Sequence, residues 1–305
     1  MKYLNLGSLN IDYVYQVDHF VQPGETLAAT GRQTYCGGKG LNQSVALAKA
    51  GGEVYHGGMV GKGGEILLQK LQEAGADLSL VQKEQMENGH TIIQIDKQGQ
   101  NCILLYGGTN TALTREYVDK ALEPFAAGDV FLTQNETNQV DYMLKKASQK
   151  GMVVTFNGAP MTEQVKGYPL ELVNILLINE VEGQMLTGQQ EEQRQLDWIS
   201  SKYPNMDVVL TVGARGAWYS GREGRFAIGV FPVKPVDTTG AGDTFVGYYL
   251  QSIASGLDVK EAMVKASAAS ALAIGKKGAA NAIPWEIEVE EALQSGQLGQ
   301  IQEVG

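Results

Sequence analysis

Short apolar runs alternate along this chain with stretches in which apolar residues recur every three or four positions. The runs at 3–6, 54–60, 130–133, 152–156, 175–178 and 208–212 have strand length and a high content of Val, Ile and Leu. Between or after them, residues 41–50, 65–74, 140–150, 191–203, 241–255 and 259–276 carry the three-and-four spacing of helices that bury one face. That order predicts βαβ units: an α/β fold with a mostly parallel sheet covered by helices on both faces. No repeat, low-complexity tract or linker interrupts it, so one domain over residues 1–305 is expected.

Two regions break the alternation. Residues 13–35 read as extended and turn-rich, and residues 91–106 read as a hairpin, TIIQI and CILLY joined by DKQGQN. Both hairpin strands carry apolar residues on both faces, which argues against a solvated edge. The expectation is a small β-sheet lid over a site, packing in addition against a second copy to form a homodimer.

Composition narrows the function classes. Apolar residues make up 43% and charged residues 19%, as in an ordinary soluble enzyme, while glycine is high at 38 residues. The net charge of −10, with no basic run longer than Lys276-Lys277, argues against a nucleic-acid partner. Two cysteines and three histidines, all far apart, give no zinc-type motif and no disulfide framework. No apolar stretch reaches membrane-spanning length and the N-terminal residues lack a signal pattern, so no membrane association and a cytoplasmic location are expected.

The candidate chemistry sits where strands give way to helices. In VDTTGAGDTF at 236–245, Gly240, Ala241 and Gly242 turn the backbone into a helix whose free N–H groups can gather around phosphate oxygens. Asp243 stands at the mouth of that site. A carboxylate there repels bound phosphate, so it suits a base that takes the proton of an attacking hydroxyl. The bland alternative is a Gly-rich turn with an Asp in its first helical turn, which GAGD alone does not separate from the functional reading. The competing phosphate motifs fail: GxxxxGK[ST] is absent, and GxGxxG ends at Phe245 instead of glycine.

Further motifs are individually weaker. In CGGKGLNQ at 36–43, Gly38 lets a ligand approach backbone, Lys39 offers a charge and Asn42 an amide. In GSLNID at 7–12, Asn10 and Asp12 project from the C-terminal end of the first strand, and a carboxylate can accept from two vicinal hydroxyls. Glu136 is a lone carboxylate at a strand end. In LINEVEG, Asn179 ends a strand ahead of Glu180 and Glu182, which could hold Mg²⁺ through water or simply cap a helix. Thr211, Gly213 and Arg215 belong to a turn, TVGARG, that suits nucleotide phosphate.

In this order, the motifs resemble the ribokinase (PfkB) family of carbohydrate kinases, from GSLNID at 7 to KKGAANAIPW at 276–285. The resemblance implies a Rossmann-like, ribokinase-like α/β domain with a β-sheet lid, and ATP as phosphoryl donor with Mg²⁺. It implies that Asn10, Asp12, Gly38, Lys39, Asn42 and Glu136 contact the sugar. Asp243 is then the base, and Gly240, Ala241 and Gly242 stabilise the transferring group. Asn179 and Glu182 are associated with Mg²⁺ and phosphate, and Thr211, Gly213 and Gly242 with the nucleotide. It also implies a K⁺ site built from Asp237, Thr239, Ala273 and Gly278, although Ala282 stands where the family carries a Ser ligand.

D-ribose is the expected substrate because the whole ribose-contact set is matched. Fructose, 2-keto-3-deoxygluconate, pseudouridine and nucleosides are the alternatives within the family, with Asn135, Ile92, Gln94 and Leu104 as pocket-shaping positions. A non-catalytic sugar sensor is the alternative outside it, and a sensor would need neither Asp243 nor the GAGD amides.

Overall fold

The structure, a computed structural model, describes residues 1–301. In chain order the strands are β1 (Lys2–Leu6), β2 (Asn10–Gln16), β3 (Gly31–Gly37), β4 (Glu53–Lys62), β5 (Asp77–Glu87), β6 (Gly89–Ile95), β7 (Asn101–Tyr106), β8 (Val130–Gln134), β9 (Val153–Asn157), β10 (Ile175–Asn179), β11 (Asp207–Thr211), β12 (Ala217–Gly221) and β13 (Gly224–Ile228). The helices are α1 (Lys39–Lys49), α2 (Glu65–Ala74), α3 (Arg115–Leu122), α4 (Val140–Gln149), α5 (Glu180–Thr187), α6 (Glu192–Lys202), α7 (Ala241–Ala254), α8 (Val259–Ile274), α9 (Ala279–Ala282) and α10 (Glu286–Gln294).

Nine strands form one sheet in the order β13-β12-β11-β10-β9-β8-β1-β4-β5, parallel from β11 to β5, with β12 and β13 antiparallel at one edge. The central strands are buried on both faces, which is why they read as continuous apolar runs. Successive residues feed opposite cores. Val130, Leu132, Ile175 and Leu177 pack with α1, α2, α7, α8 and α10, whereas Phe131, Leu176 and Ile178 pack with α3, α4, α5 and α6. On the first face α7 lies directly on α1. A Cβ at Gly247 would sit 2.4 Å from Cβ of Ala46 and 2.7 Å from the Leu47 amide nitrogen, so glycine sets the closeness of the two helices.

The second sheet, β3-β2-β6-β7, is the lid, with β2 and β6 parallel and the outer pairs antiparallel. Its strands reach further than expected, beginning at Asn10 and ending at Gly37 on one side and spanning 89–106 on the other. Asn10 and Asp12 therefore do not project from the end of β1. They lie on the lid strand β2, because the main-sheet strand stops at Leu6. The expectation that the hairpin avoids a solvated edge is also corrected for the single chain: every residue of β7 is exposed, with Ile103 at 55% and Leu104 at 68%.

Candidate active site

Two helix starts converge at the C-terminal edge of the main sheet. At the first, Gly38 takes a φ of +92° that turns β3 into α1, and Gly40 lies against the Gly7–Ser8 backbone. At the second, Gly240 takes a φ of +77° with its Cα facing Ala279, and α7 begins at Ala241. A Cβ on Gly242 would meet nothing within 4 Å, so the first turn of α7 opens onto free space. An anion placed there meets backbone N–H groups and the positive end of the helix dipole.

Asp243 is the hinge between the two helices. It is 7% exposed and accepts from Nδ2 of Asn42 and from Nε2 of Gln43, each at 2.9 Å. Oδ1 of Asn42 is buried without a hydrogen-bond partner. Glu136, two residues beyond β8, accepts from the Ser8 hydroxyl and from the Lys39 backbone amide at 2.9 Å. Withdrawal from solvent raises the Glu136 carboxyl, and the nearby Lys39 charge opposes that rise. At Lys39, burial pushes the ammonium down, but Asp243, Glu136 and Glu182 outweigh it and hold the group above the usual lysine range. Lys39 is thus charged in the midst of three carboxylates.

The lid contributes Asn10 and Asp12. Asn10 Oδ1 accepts from Asn110 Nδ2 at 2.7 Å, and Asn110 Oδ1 in turn accepts from the Leu9 amide at 2.9 Å. The Leu9 amide can only donate, so Asn10 must present its own NH₂ elsewhere. Asp12 accepts from Thr91 Oγ1 at 2.6 Å and lies over Gly37, where a Cβ would fall 2.0 Å from Oδ2. Burial raises the Asp12 carboxyl to about 6, against the Thr91 hydrogen bond and with help from Glu136.

On the other side of Gly242 lies a cavity of about 830 Å³. Thr211, Gly213, Ala241 and Gly242 line it, with loop 229–235 and α8 residues such as Ala271 and Ile274 as further walls. Its size and apolar walls suit a nucleoside, with the α7 amides at its phosphate end. Arg215 turns away from it to pair with the Glu192 carboxylate.

Asn179 and Glu182 form a capping box at the start of α5. Asn179 Oδ1 accepts from the Glu182 amide at 2.8 Å, and Glu182 Oε2 accepts from the Asn179 amide at 2.9 Å. Burial raises the Glu182 carboxyl. Among the described residues no three His, Cys, Asp or Glu side chains gather as a metal shell, so a divalent ion fits here only with ligand phosphates and water completing its coordination.

The Asp237 carboxylate accepts from the Thr239 and Gly278 amides, each at 3.0 Å. The Ala273 and Gly278 carbonyls accept from the Lys276 and Ala282 amides at 3.0 and 2.9 Å. Of these bonds, the one from the Gly278 amide to Asp237 ties segment 236–239 to residues 276–278, and Ala282 adds only a methyl group.

Sequence reasoning missed Thr91 and Asn110, which orient Asp12 and Asn10 from distant segments without any motif. It also missed the cavity walls at 229–235 and on α8, although the two prolines of FPVKP mark a constrained loop between β13 and α7. Gln43 lies inside the GGKGLNQ motif, but only the fold brings it to Asp243.

The profile described as pfkB family carbohydrate kinase matches residues 2–286. The chain is 33% identical over 298 residues to the ribokinase of Haemophilus influenzae, covering 95% of this chain and 97% of that one. It is 33% identical over 312 residues to the bifunctional ribokinase/ribose-5-phosphate isomerase A of Fructilactobacillus sanfranciscensis, covering 97% of this chain and spanning 57% of that protein's length. The crystal structure of the ribokinase from Cryptococcus neoformans var. grubii serotype A in complex with ADP is similar with a TM-score of 0.83 at 28% identity, covering 95% of this chain and 99% of that one.

Proposed function

Because this chain belongs to the pfkB family of carbohydrate kinases, we propose that it transfers the γ-phosphoryl group of ATP to the primary hydroxyl of D-ribose, giving ribose 5-phosphate and ADP. One observation carries the reading. A carboxylate, Asp243, is fixed by two side-chain amides beside helix-start N–H groups that open onto a nucleoside-sized cavity.

Ribose lies between the lid and the α1 start. Asn10 donates to it, Asp12 accepts from its hydroxyls, Asn42 lies beside it at the start of α1, and Glu136 holds the Gly38–Lys39 turn against it. ATP occupies the cavity with its phosphates at Gly240–Gly242. Asp243 takes the proton of the primary hydroxyl as that oxygen attacks phosphorus in line, and the leaving oxygen remains with ADP. Lys39 and the α7 amides offset charge on the transferring group. Mg²⁺ bound to the ATP phosphates would be reached from Glu182 through water and would neutralise phosphate charge. No step runs through K⁺.

The exposed apolar edge of the lid favours a homodimer through β7, and the need for ATP favours a cytoplasmic enzyme. ADP release measured over a panel of ribose, fructose, 2-keto-3-deoxygluconate, pseudouridine and nucleosides tests the assignment, with ribose expected to give the highest kcat/KM. In the same assay Asp243→Asn should lower kcat by about 10²–10⁴ while sugar affinity stays near wild type, as for loss of a general base. Wild-type turnover in that variant would remove Asp243 from the chemistry.

A further inference from the structure

A line of buried side-chain amides runs from the sheet to the Asp243 carboxylate, and backbone carbonyls fix the direction of its links. Asn5 on β1 donates through Nδ2 to the Gly40 carbonyl at 2.9 Å and to the Ser44 hydroxyl at 2.8 Å. A peptide carbonyl only accepts, so Asn5 Oδ1 must face the other way, where Gln134 Nε2 meets it at 3.0 Å. The same Nε2 donates to Gln43 Oε1 at 2.7 Å. Gln43 is thereby turned so that its Nε2 faces Asp243 Oδ1 at 2.9 Å and Asn157 Oδ1 at 3.0 Å. Asn157 is oriented independently, since its Nδ2 donates to the Leu177 carbonyl at 2.9 Å. Both hydrogens of the Gln43 amide are therefore committed, one of them to the catalytic carboxylate.

Asn5 and Gln43 are 0% exposed and Gln134 is 1% exposed. Burying amides costs free energy unless each is satisfied, and apolar side chains would fill the same space without that demand. Gln134 Oε1 even lies buried without a partner. Stability gives a poor reason for this network, whereas holding a carboxylate in one rotation gives a direct one.

We propose that Gln43 is a positioning residue for phosphoryl transfer, its amide locked through Gln134 and Asn157 so that the Asp243 carboxylate is held in the orientation that receives the substrate proton. The inference rests on Asp243 acting as the base.

The test is steady-state kinetics of Gln43→Met alone and combined with Asp243→Asn. Gln43→Met should lower kcat about 10–100-fold with KM for ribose and ATP within about threefold of wild type, as expected for a small misplacement of a reacting group. In the Asp243→Asn background the same change should cost no more than about twofold, because the group it orients is no longer a base. A kcat within about twofold of wild type, or an equal loss in both backgrounds, overturns the proposal while leaving the kinase assignment intact. Absence of wild-type turnover on every sugar overturns the base reading and this inference together. If Gln43→Met does not fold, Gln134→Met keeps Gln43 and removes the donor that fixes it. That variant should then lose at least about threefold in kcat only where Asp243 is present, and an unchanged kcat overturns the proposal.

Discussion

At the scale of single residues, Asp12 makes the site sensitive to mild acid. Burial holds its carboxyl at about 6, so in the sugar-free protein it is ionised at neutral pH and takes up a proton as pH falls through that value. The ionised form accepts hydroxyls on both oxygens, and the protonated form gives up part of that capacity. KM for ribose should therefore rise as pH drops below about 6, and Asp12→Asn should flatten that rise while raising KM throughout. Ribose saturation curves at a series of pH values check this, and an undiminished pH step in the variant would assign the titration to another group. Folding stability runs the opposite way. A carboxyl raised in the folded state binds its proton more tightly than in the unfolded chain, so its contribution is present in acid and is lost as pH climbs from about 4 to about 6.

At the scale of elements, α1 and α7 must lie at one fixed separation for Asn42 and Gln43 to reach Asp243, and Gly247 sets it. Gly247→Ala places a methyl group against the Leu47 backbone, which cannot yield as a flexible side chain would. The expected cost is about 1–3 kcal/mol of stability, read as a lower Tm, with a fall in kcat because Asp243 lies one turn earlier on the same helix. A variant that melts with wild type would show that the helices separate without penalty. Elements of this kind were legible in the sequence where burial is simple. The central strands are buried on both faces, and α1, α4 and α7 carry their apolar spacing openly. β5 was not legible because most of its residues are exposed and polar, and β12 and β13 because they are a short antiparallel hairpin at the sheet edge, outside the βαβ alternation. α5 was obscured by its own cap, since Glu182 reads equally as a metal-site carboxylate. The phosphoryl half of the candidate site was readable because GAGD and GGKG need glycine at given backbone angles. The lid half was readable only as Asn10 and Asp12, since Thr91 and Asn110 gain their roles from folding alone.

At the scale of the molecule, the lid leaves Ile103, Leu104, Leu105 and Tyr106 exposed along β7. An open strand edge of this character is a template for pairing, and a second copy is the proposed cover. Sedimentation should give wild-type protein a mass near twice the 32.8 kDa of the chain, and Leu104→Lys should shift it toward the single-chain mass. A wild-type protein that sediments as a single chain at micromolar concentration would remove the dimer.

The hydrogen bond from Asn42 to Asp243 joins residues 201 positions apart. During synthesis the first half of the chain can pair β1 with β4 and form the lid, yet it carries no base. Until α7 has emerged and docked on α1, the proposed base is absent and the proposed transfer cannot begin. Under the proposed mechanism, catalytic competence is thus a late event of the protein's own biogenesis, because the base enters the chain only with α7.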